Sequence, residues 1–242
     1  MTITWLSMID QTLFPPFSEA YEDGLLAAGG DLSVTRLLNA YRRGIFPWFN
    51  KNDPILWWSP DPRLVLWTDQ IKLSKSLKKT IRNTLMRVTF DLAFNQVINA
   101  CSLPRQEGVD TENSTWIHPD MIAAYTELHQ RGHAHSVECW LDGQLVGGLY
   151  GIAIGQVFFG ESMFSTVTDS SKLALVALCQ QLQRWGYPLI DCQIYSGHLA
   201  SLGAEEMSRD DFIVQLDQLC LQSPQISYSH LWQLDPDLPV IP

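Results

Sequence analysis

Glu161, Asp191 and Gln193 stand where buried strands should be apolar. Glu161 lies in FFGESMFS; the other two lie in LIDCQIYS, residues 189–196. Side chains two apart in a strand share a face, so Asp191 and Gln193 point one way and Ile190, Cys192 and Ile194 the other. A buried carboxylate needs a partner or a task. An amide cannot act as a base, but it can orient an amine or donate to a developing oxyanion. Taken singly, each of the three is more often a structural hydrogen-bonder. If the two strands are neighbours across a connecting helix, all three face one cleft, and a site becomes the better reading.

Other chemistries find less support. The sequence holds no GxSxG, HExxH or GxxxxGK[ST] pattern. His133 and His135 would share a strand face, with no cysteine or acid obviously near to complete a metal site. The glycines of LVGGLYGIAIG precede no helix, so a dinucleotide fingerprint fails; strand bends and close backbone approach explain them better. Core packing is the default for a tryptophan. Several of the nine nevertheless lie in turns, among them Trp48 in GIFPWF, Trp57 and Trp58 in ILWWSP, and Trp116 in STWIHP. In Pro-flanked loops such rings more often line a pocket or a seam.

These residues need a scaffold. Residues 1–62 are rich in Pro, Gly and aromatics and are expected to form a small N-terminal domain ending near the SPDP turn. Its one clear helix is capped by Asp31 or Ser33, turns Leu37, Leu38 and Tyr41 inward, and stops at Gly44. Residues 63–242 are expected to form the second domain. RLVLW and RVTFD read as strands on either side of a basic helix at 72–87. Helices follow over DLAFNQVINACS and HPDMIAAYTELHQRG, separated by a polar loop at 102–115. A three-strand meander then runs from HAHSVECWL through an Asp-Gly turn to LVGGLYGIAI and VFFGESMFS. A capped helix over TDSSKLALVALCQQLQRWGY joins it to the strand LIDCQIY. A short helix at HLASLG and a strand or helix over 205–221 complete an α+β fold. The last 20 residues, Pro-rich and acidic, read as a loosely held tail.

With 242 residues, 46% of them hydrophobic and 17% charged, the chain is an ordered globular protein. No apolar run is long enough to cross a bilayer, and the N-terminus lacks a basic region followed by an apolar one. No membrane association and no leader are expected. Five scattered cysteines without a CxxC pair suit a reducing compartment. The net charge of −10 argues against nucleic acid, but residues 72–87 hold six basic residues and no acid. Lys72, Lys75, Lys79 and Arg82 are spaced to share one helical face. Alone, that stripe is more simply a solvated face; a phosphate contact is the sharper alternative.

Together the motifs GLLAAGGDLS, AYRRGIFPWF, PILWWSPDPR, TWI, GHAHSVE, LVGGLYG, FFGESMFS, LIDCQ and HLASLGA resemble, in order, the leucyl/phenylalanyl-tRNA–protein transferase family. The resemblance runs from residue 14 to residue 217 and implies a C-terminal domain similar to the GNAT acyltransferases. It implies transfer of Leu, Phe or Met from aminoacyl-tRNA to an acceptor protein with N-terminal Arg or Lys, marking it for degradation in the cytoplasm. It assigns Gln193 to the attacking amine, Asp191 to its polarisation, and Glu161 to positioning the amine or the terminal adenosine. Trp48 and Trp116 would hold the 3′ end, and Leu149, Phe158 and Leu175 would line the aminoacyl side-chain pocket. Lys75, Lys79 and Arg82 would take the acceptor stem. The substrate ester is already activated, so neither ATP, a metal nor another cofactor is expected; the protein is expected to be a monomer. Ser196 stands where the family pattern leads one to expect Asn, and the acidic loop EGVDTENS before TWI is longer than expected.

Three alternatives differ in class. An acyl-CoA N-acyltransferase of the GNAT type would carry a Gly-rich loop before the helix, whereas SMFSTVTDSSK has no glycine. A cell-wall aminoacyl-tRNA user would have two such domains in a longer chain. A non-catalytic tRNA-binding module leaves Glu161, Asp191 and Gln193 unexplained.

Overall fold

The computed structural model describes residues 2–10, 13–103, 116–224 and 232–235. Strands β1 (Thr4–Leu6) and β2 (Leu25–Gly29) lead to helix α1 (Val34–Arg42), followed by β3 (Phe46–Pro47) and β4 (Leu56–Trp58). These strands form a four-stranded sheet in the order β1-β2-β4-β3. Ser33 caps α1 by accepting from Arg36 N–H. Gly44, at φ 71°, ends it in the left-handed conformation that glycine adopts without strain.

The second sheet begins with β5 (Arg63–Trp67). It continues through α2 (Lys75–Asn83), β6 (Arg87–Phe90), α3 (Phe94–Cys101), α4 (Pro119–Gln130) and the meander β7 (Ala134–Leu141), β8 (Gln144–Ile154) and β9 (Val157–Ser165). Helix α5 (Ser170–Arg184) crosses over to β10 (Leu189–Gln193), and α6 (Gly197–Ser201), β11 (Glu205–Met207) and α7 (Arg209–Leu219) follow. The seven strands lie in the order β11-β5-β10-β9-β8-β7-β6. Only the β9–β10 pair is parallel, the arrangement that a helical crossover requires. The mixed, mostly antiparallel sheet flanked by helices is the α+β fold expected from the sequence.

Alternation along these strands divides the core in two. Val65, Tyr150, Ile152, Val157, Phe159 and Leu189 join one apolar cluster, shared with α1, α4 and α7. Their strand neighbours Leu64, Leu149, Phe158 and Ile190 join the other, shared with α2 and α5. Helix α5 can lie close on β8 because Gly147 has no side chain: a Cβ there would meet Ser170 Oγ at 2.2 Å.

Several local expectations need correction. The basic helix is shorter than 72–87: Ser74 caps it, Lys72 precedes it with its N–H bonded to Leu202, and Arg87 already opens β6. The stripe on α2 is therefore Lys75, Lys79 and Arg82, all exposed. β10 ends two residues early, so Ile194 is 46% exposed rather than packed beside Ile190. Asp169 precedes α5 but makes no side-chain cap; its carboxylate instead takes Thr80 and Lys172. Both elements foreseen as alternatives over 205–221 are present, as β11 and α7. The tail is not loose throughout, since Trp232 and Leu234 pack on the second cluster. The loop at 107–114 lies outside the described residues.

Candidate active site

Asp191 is fully buried and grips the buried Arg63 at the start of β5. Nε of Arg63 donates to Oδ1 at 2.8 Å and Nη2 to Oδ2 at 2.7 Å. The guanidinium also donates Nη1 to the Gly44 carbonyl at 3.1 Å and lies between the rings of Phe46 and Phe212, 4.8 and 4.9 Å from their centroids. Two buried charges tolerate this desolvation because both partners are bidentate and aromatic faces cover the cation. Oδ1 of Asp191 additionally accepts the backbone N–H of Gln193 at 2.9 Å.

That last bond shapes the end of β10. Gln193 sits at φ 64°, and Ile194 N–H turns back to the Cys192 carbonyl at 2.9 Å. The register with β5 shifts between Asp191 and Gln193. A left-handed glutamine is strained, and strain of this kind persists only where the surroundings impose it. The result aims the side chain at β9: Gln193 Nε2 donates to Glu161 Oε1 at 2.9 Å.

Glu161 owes its position to a bulge. Tyr150 pairs with Ser162 and Gly151 with Gly160, leaving Glu161 as the extra residue in β9. Its Oε1 also accepts the hydroxyl of Tyr41 at 2.6 Å, and Tyr41 in turn hydrogen-bonds the hydroxyl of Tyr125. Burial raises the Glu161 pKa to about 7, against the lowering effect of its bonds to Tyr41, Tyr125 and Gln193. Burial, together with the Glu161 carboxylate, pushes the two tyrosine hydroxyls well above their usual range.

β9 and β10 are paired only as far as Phe159 and Asp191. Beyond that point no backbone pairing joins the two strands; Glu161 and Gln193 meet through their side chains instead. Glu161, Asp191 and Gln193 belong to the α1/α4 face. Leu149, Phe158 and Leu175 are brought together in the cluster on the opposite face.

Residues 65–217 match the family described as leucyl/phenylalanyl-tRNA protein transferase, and residues 30–61 match the N-terminal domain of that family. The leucyl/phenylalanyl-tRNA–protein transferase of Nitrosomonas eutropha is 54% identical, covering 95% of this chain and 96% of its own. That of Cellvibrio japonicus is 51% identical, over 97% of this chain and 98% of its own. This chain belongs to the leucyl/phenylalanyl-tRNA–protein transferase family. Among solved structures, a GCN5-related N-acetyltransferase from Kribbella flavida aligns at 13% identity and a TM-score of 0.36, over 71% of this chain and 60% of that one.

In this transferase-family chain, Trp48 follows β3, is 42% exposed, and meets Trp58 edge-on at 5.5 Å. Trp116 is half-buried against the first cluster. Their segments meet where Phe49 and His118 make an edge contact at 4.7 Å. Lys75, Lys79 and Arg82 lie apart from these on α2, on the other side of the sheet. Sequence reasoning missed Arg63, Tyr41 and Tyr125. Arg63 reads as the polar first residue of a strand and Tyr41 as one more inward aromatic. The one available signal was that a buried Asp191 must have a cationic or hydrogen-bonding partner. His135 is paired with Asp91 at 2.7 Å, and among the described residues no cluster of three His, Cys, Asp or Glu could hold a metal. No helix among them is long and apolar enough to cross a membrane.

Proposed function

We propose that this protein moves leucine, phenylalanine or methionine from aminoacyl-tRNA to the α-amine of an acceptor protein beginning with Arg or Lys, as a cytoplasmic monomer without a cofactor. The observation that carries the reading is the Tyr41–Glu161–Gln193 hydrogen-bonded set. It supplies a carboxyl group whose pKa is raised to about 7 and an oriented amide, at the point where β9 and β10 cease to pair.

In this reading the ester carbonyl lies beside Glu161 and Gln193, where β9 and β10 cease to pair. The neutral α-amine, with a reference pKa of about 7.7–8.0, attacks it. A C–N bond forms and the C–O bond to the terminal ribose breaks. One proton leaves the amine and one is returned to the ribose oxygen. Glu161, with its pKa raised to about 7, can take and return that proton, and Tyr41 fixes its orientation. One N–H of Gln193 Nε2 goes to Glu161, and in this reading its Oε1 accepts an N–H of the amine. Asp191 is a positioning residue: both its oxygens are engaged by Arg63, and it acts by holding the Gln193 backbone. Orientation and exclusion of water then carry much of the rate. Leu149, Phe158 and Leu175 would receive the aminoacyl side chain, Trp48 and Trp116 the terminal nucleotide, and Lys75, Lys79 and Arg82 the stem.

The acyl-CoA alternative meets an acid where a pyrophosphate would bind. At the start of α5 the Asp169 carboxylate accepts from Thr80 at 3.0 Å and Lys172 at 2.8 Å. The deciding experiment mixes leucyl- or phenylalanyl-tRNA, labelled in the amino acid, with one peptide beginning in Arg and another beginning in Ala. Label on the Arg peptide alone is expected. Label on neither, with charged tRNA and folded protein, refutes the reading.

A further inference from the structure

Outside this site, residues 232–235 lie against the second apolar cluster. The Trp232 ring stacks on His135, with centroids 3.8 Å apart and planes 9° apart. Asp91 holds His135 in place through Nδ1 at 2.7 Å. Trp232 also meets Trp185 at 5.0 Å and Phe158 at 5.8 Å. The segment is pinned further by Asp235, whose N–H donates to the buried Gln181 Oε1 at 2.8 Å and whose carboxylate meets Arg184 at 3.3 Å.

Phe158 is the residue through which this matters. On one side its ring lies on the backbone of Gly151, where an added Cβ would meet ring atoms at 2.6 and 2.7 Å. Trp232 also packs against that ring. A ring confined by a bare backbone and by an indole anchored on a fixed imidazole has little freedom to turn. We propose that Trp232 is a positioning residue that fixes Phe158 and thereby sets the width of the aminoacyl side-chain pocket, so that the C-terminal segment takes part in selecting the amino acid. This rests on the reading that Phe158 lines that pocket.

Removing the indole lets Phe158 shift into the vacated space and widens the pocket. The wider pocket favours the bulkier phenylalanyl group over leucyl. The test compares kcat/KM for phenylalanyl- and leucyl-tRNA, at a fixed concentration of an Arg-initiated peptide, in the full chain. In Trp232→Ala the Phe-to-Leu ratio is expected to rise by about threefold or more, within the range that pocket contacts discriminate. Trp232→Phe, which keeps a ring, is expected to shift the ratio the same way by less, and it carries the test if the alanine variant does not fold. Asp235→Ala removes only the exposed contact with Arg184, keeps the main-chain N–H bond to Gln181 and the indole against Phe158, and should leave the ratio unchanged. A ratio that is constant or falls in the Trp232 variants overturns the proposal, even if both rates drop together. So does an equal shift in Asp235→Ala. A wild-type protein that transfers neither amino acid instead overturns the functional reading itself.

Discussion

Arg63 and Asp191 form a closed pair: two parallel N–H···O contacts of 2.8 and 2.7 Å join side chains that are 1% and 0% exposed. The pair ties the first residue of β5 to the middle of β10. Through Gly44 and the rings of Phe46 and Phe212 it also reaches the end of α1, β3 and α7. Asp191 is therefore spoken for before any substrate arrives. In the proposed mechanism its influence on chemistry passes through the Gln193 N–H.

Breaking this pair from one side should be costly. Arg63→Ala leaves a buried carboxylate without its cation and is expected to lower stability by about 3–5 kcal/mol. Urea unfolding of the variant measures this directly. Arg63→Met combined with Asp191→Leu leaves no orphaned charge and should lose less stability than Arg63→Ala. Transfer by the double variant should still fall, because Gln193 N–H has lost its acceptor. Wild-type turnover in a folded double variant would remove Asp191 from the mechanism.

Gln193 combines a strained backbone with a side chain held on Glu161. Its φ of 64° suits glycine, so Gln193→Gly should be more stable than Gln193→Ala by about 1 kcal/mol. Both lose the amide and should lose on the order of 10²-fold in transfer rate. Paired unfolding curves and rates separate the two effects. If Gln193→Gly keeps full rate, the amide is dispensable.

The strand–helix–strand unit that carries the candidate site was legible because its signals are local. Alternation put Asp191 and Gln193 on one face, and an Asp-Gly turn with φ values of 50° and 76° fixed the β7–β8 hairpin. The Gln193 turn was not legible: nothing in LIDCQIYS signals a left-handed glutamine, which depends on a bond from Asp191 back to the main chain. Arg63 lies 128 positions from Asp191 and Tyr41 lies 120 from Glu161. Periodicity does not reach that far. Trp232 was hidden for a different reason: a Pro-rich, acidic tail looks unstructured by composition, and one aromatic ring suffices to seat it on the cluster.

The stripe on α2 makes a prediction about salt. Lys75, Lys79 and Arg82 are exposed, and Leu77 and Ile81 of the same helix are buried. If the three cations touch phosphates, binding of tRNA should weaken steeply as salt rises. Replacing all three with Ala should reduce the slope of log K against log salt by up to about 2.7. Circular dichroism should be unchanged, since the buried face is untouched. A slope that matches wild type would return the stripe to a solvated surface.

Glu161 should declare itself in pH dependence. Its pKa is raised from 4.5 to about 7, mainly by burial, so the folded protein holds the proton more tightly than the unfolded chain. The associated stability is fully present below about 4.5 and is lost as pH rises through about 7. Glu161→Gln cannot ionise, so its stability relative to wild type should climb across that same interval. In the transfer reaction, wild type should show an ionisation near 7 that Glu161→Gln lacks, together with a rate lower by about 10²-fold. The acceptor amine titrates at about 7.7–8.0 in both proteins and serves as the internal reference. Were the Gln variant to retain both the rate and the lower ionisation, the proton would have to be carried by another group.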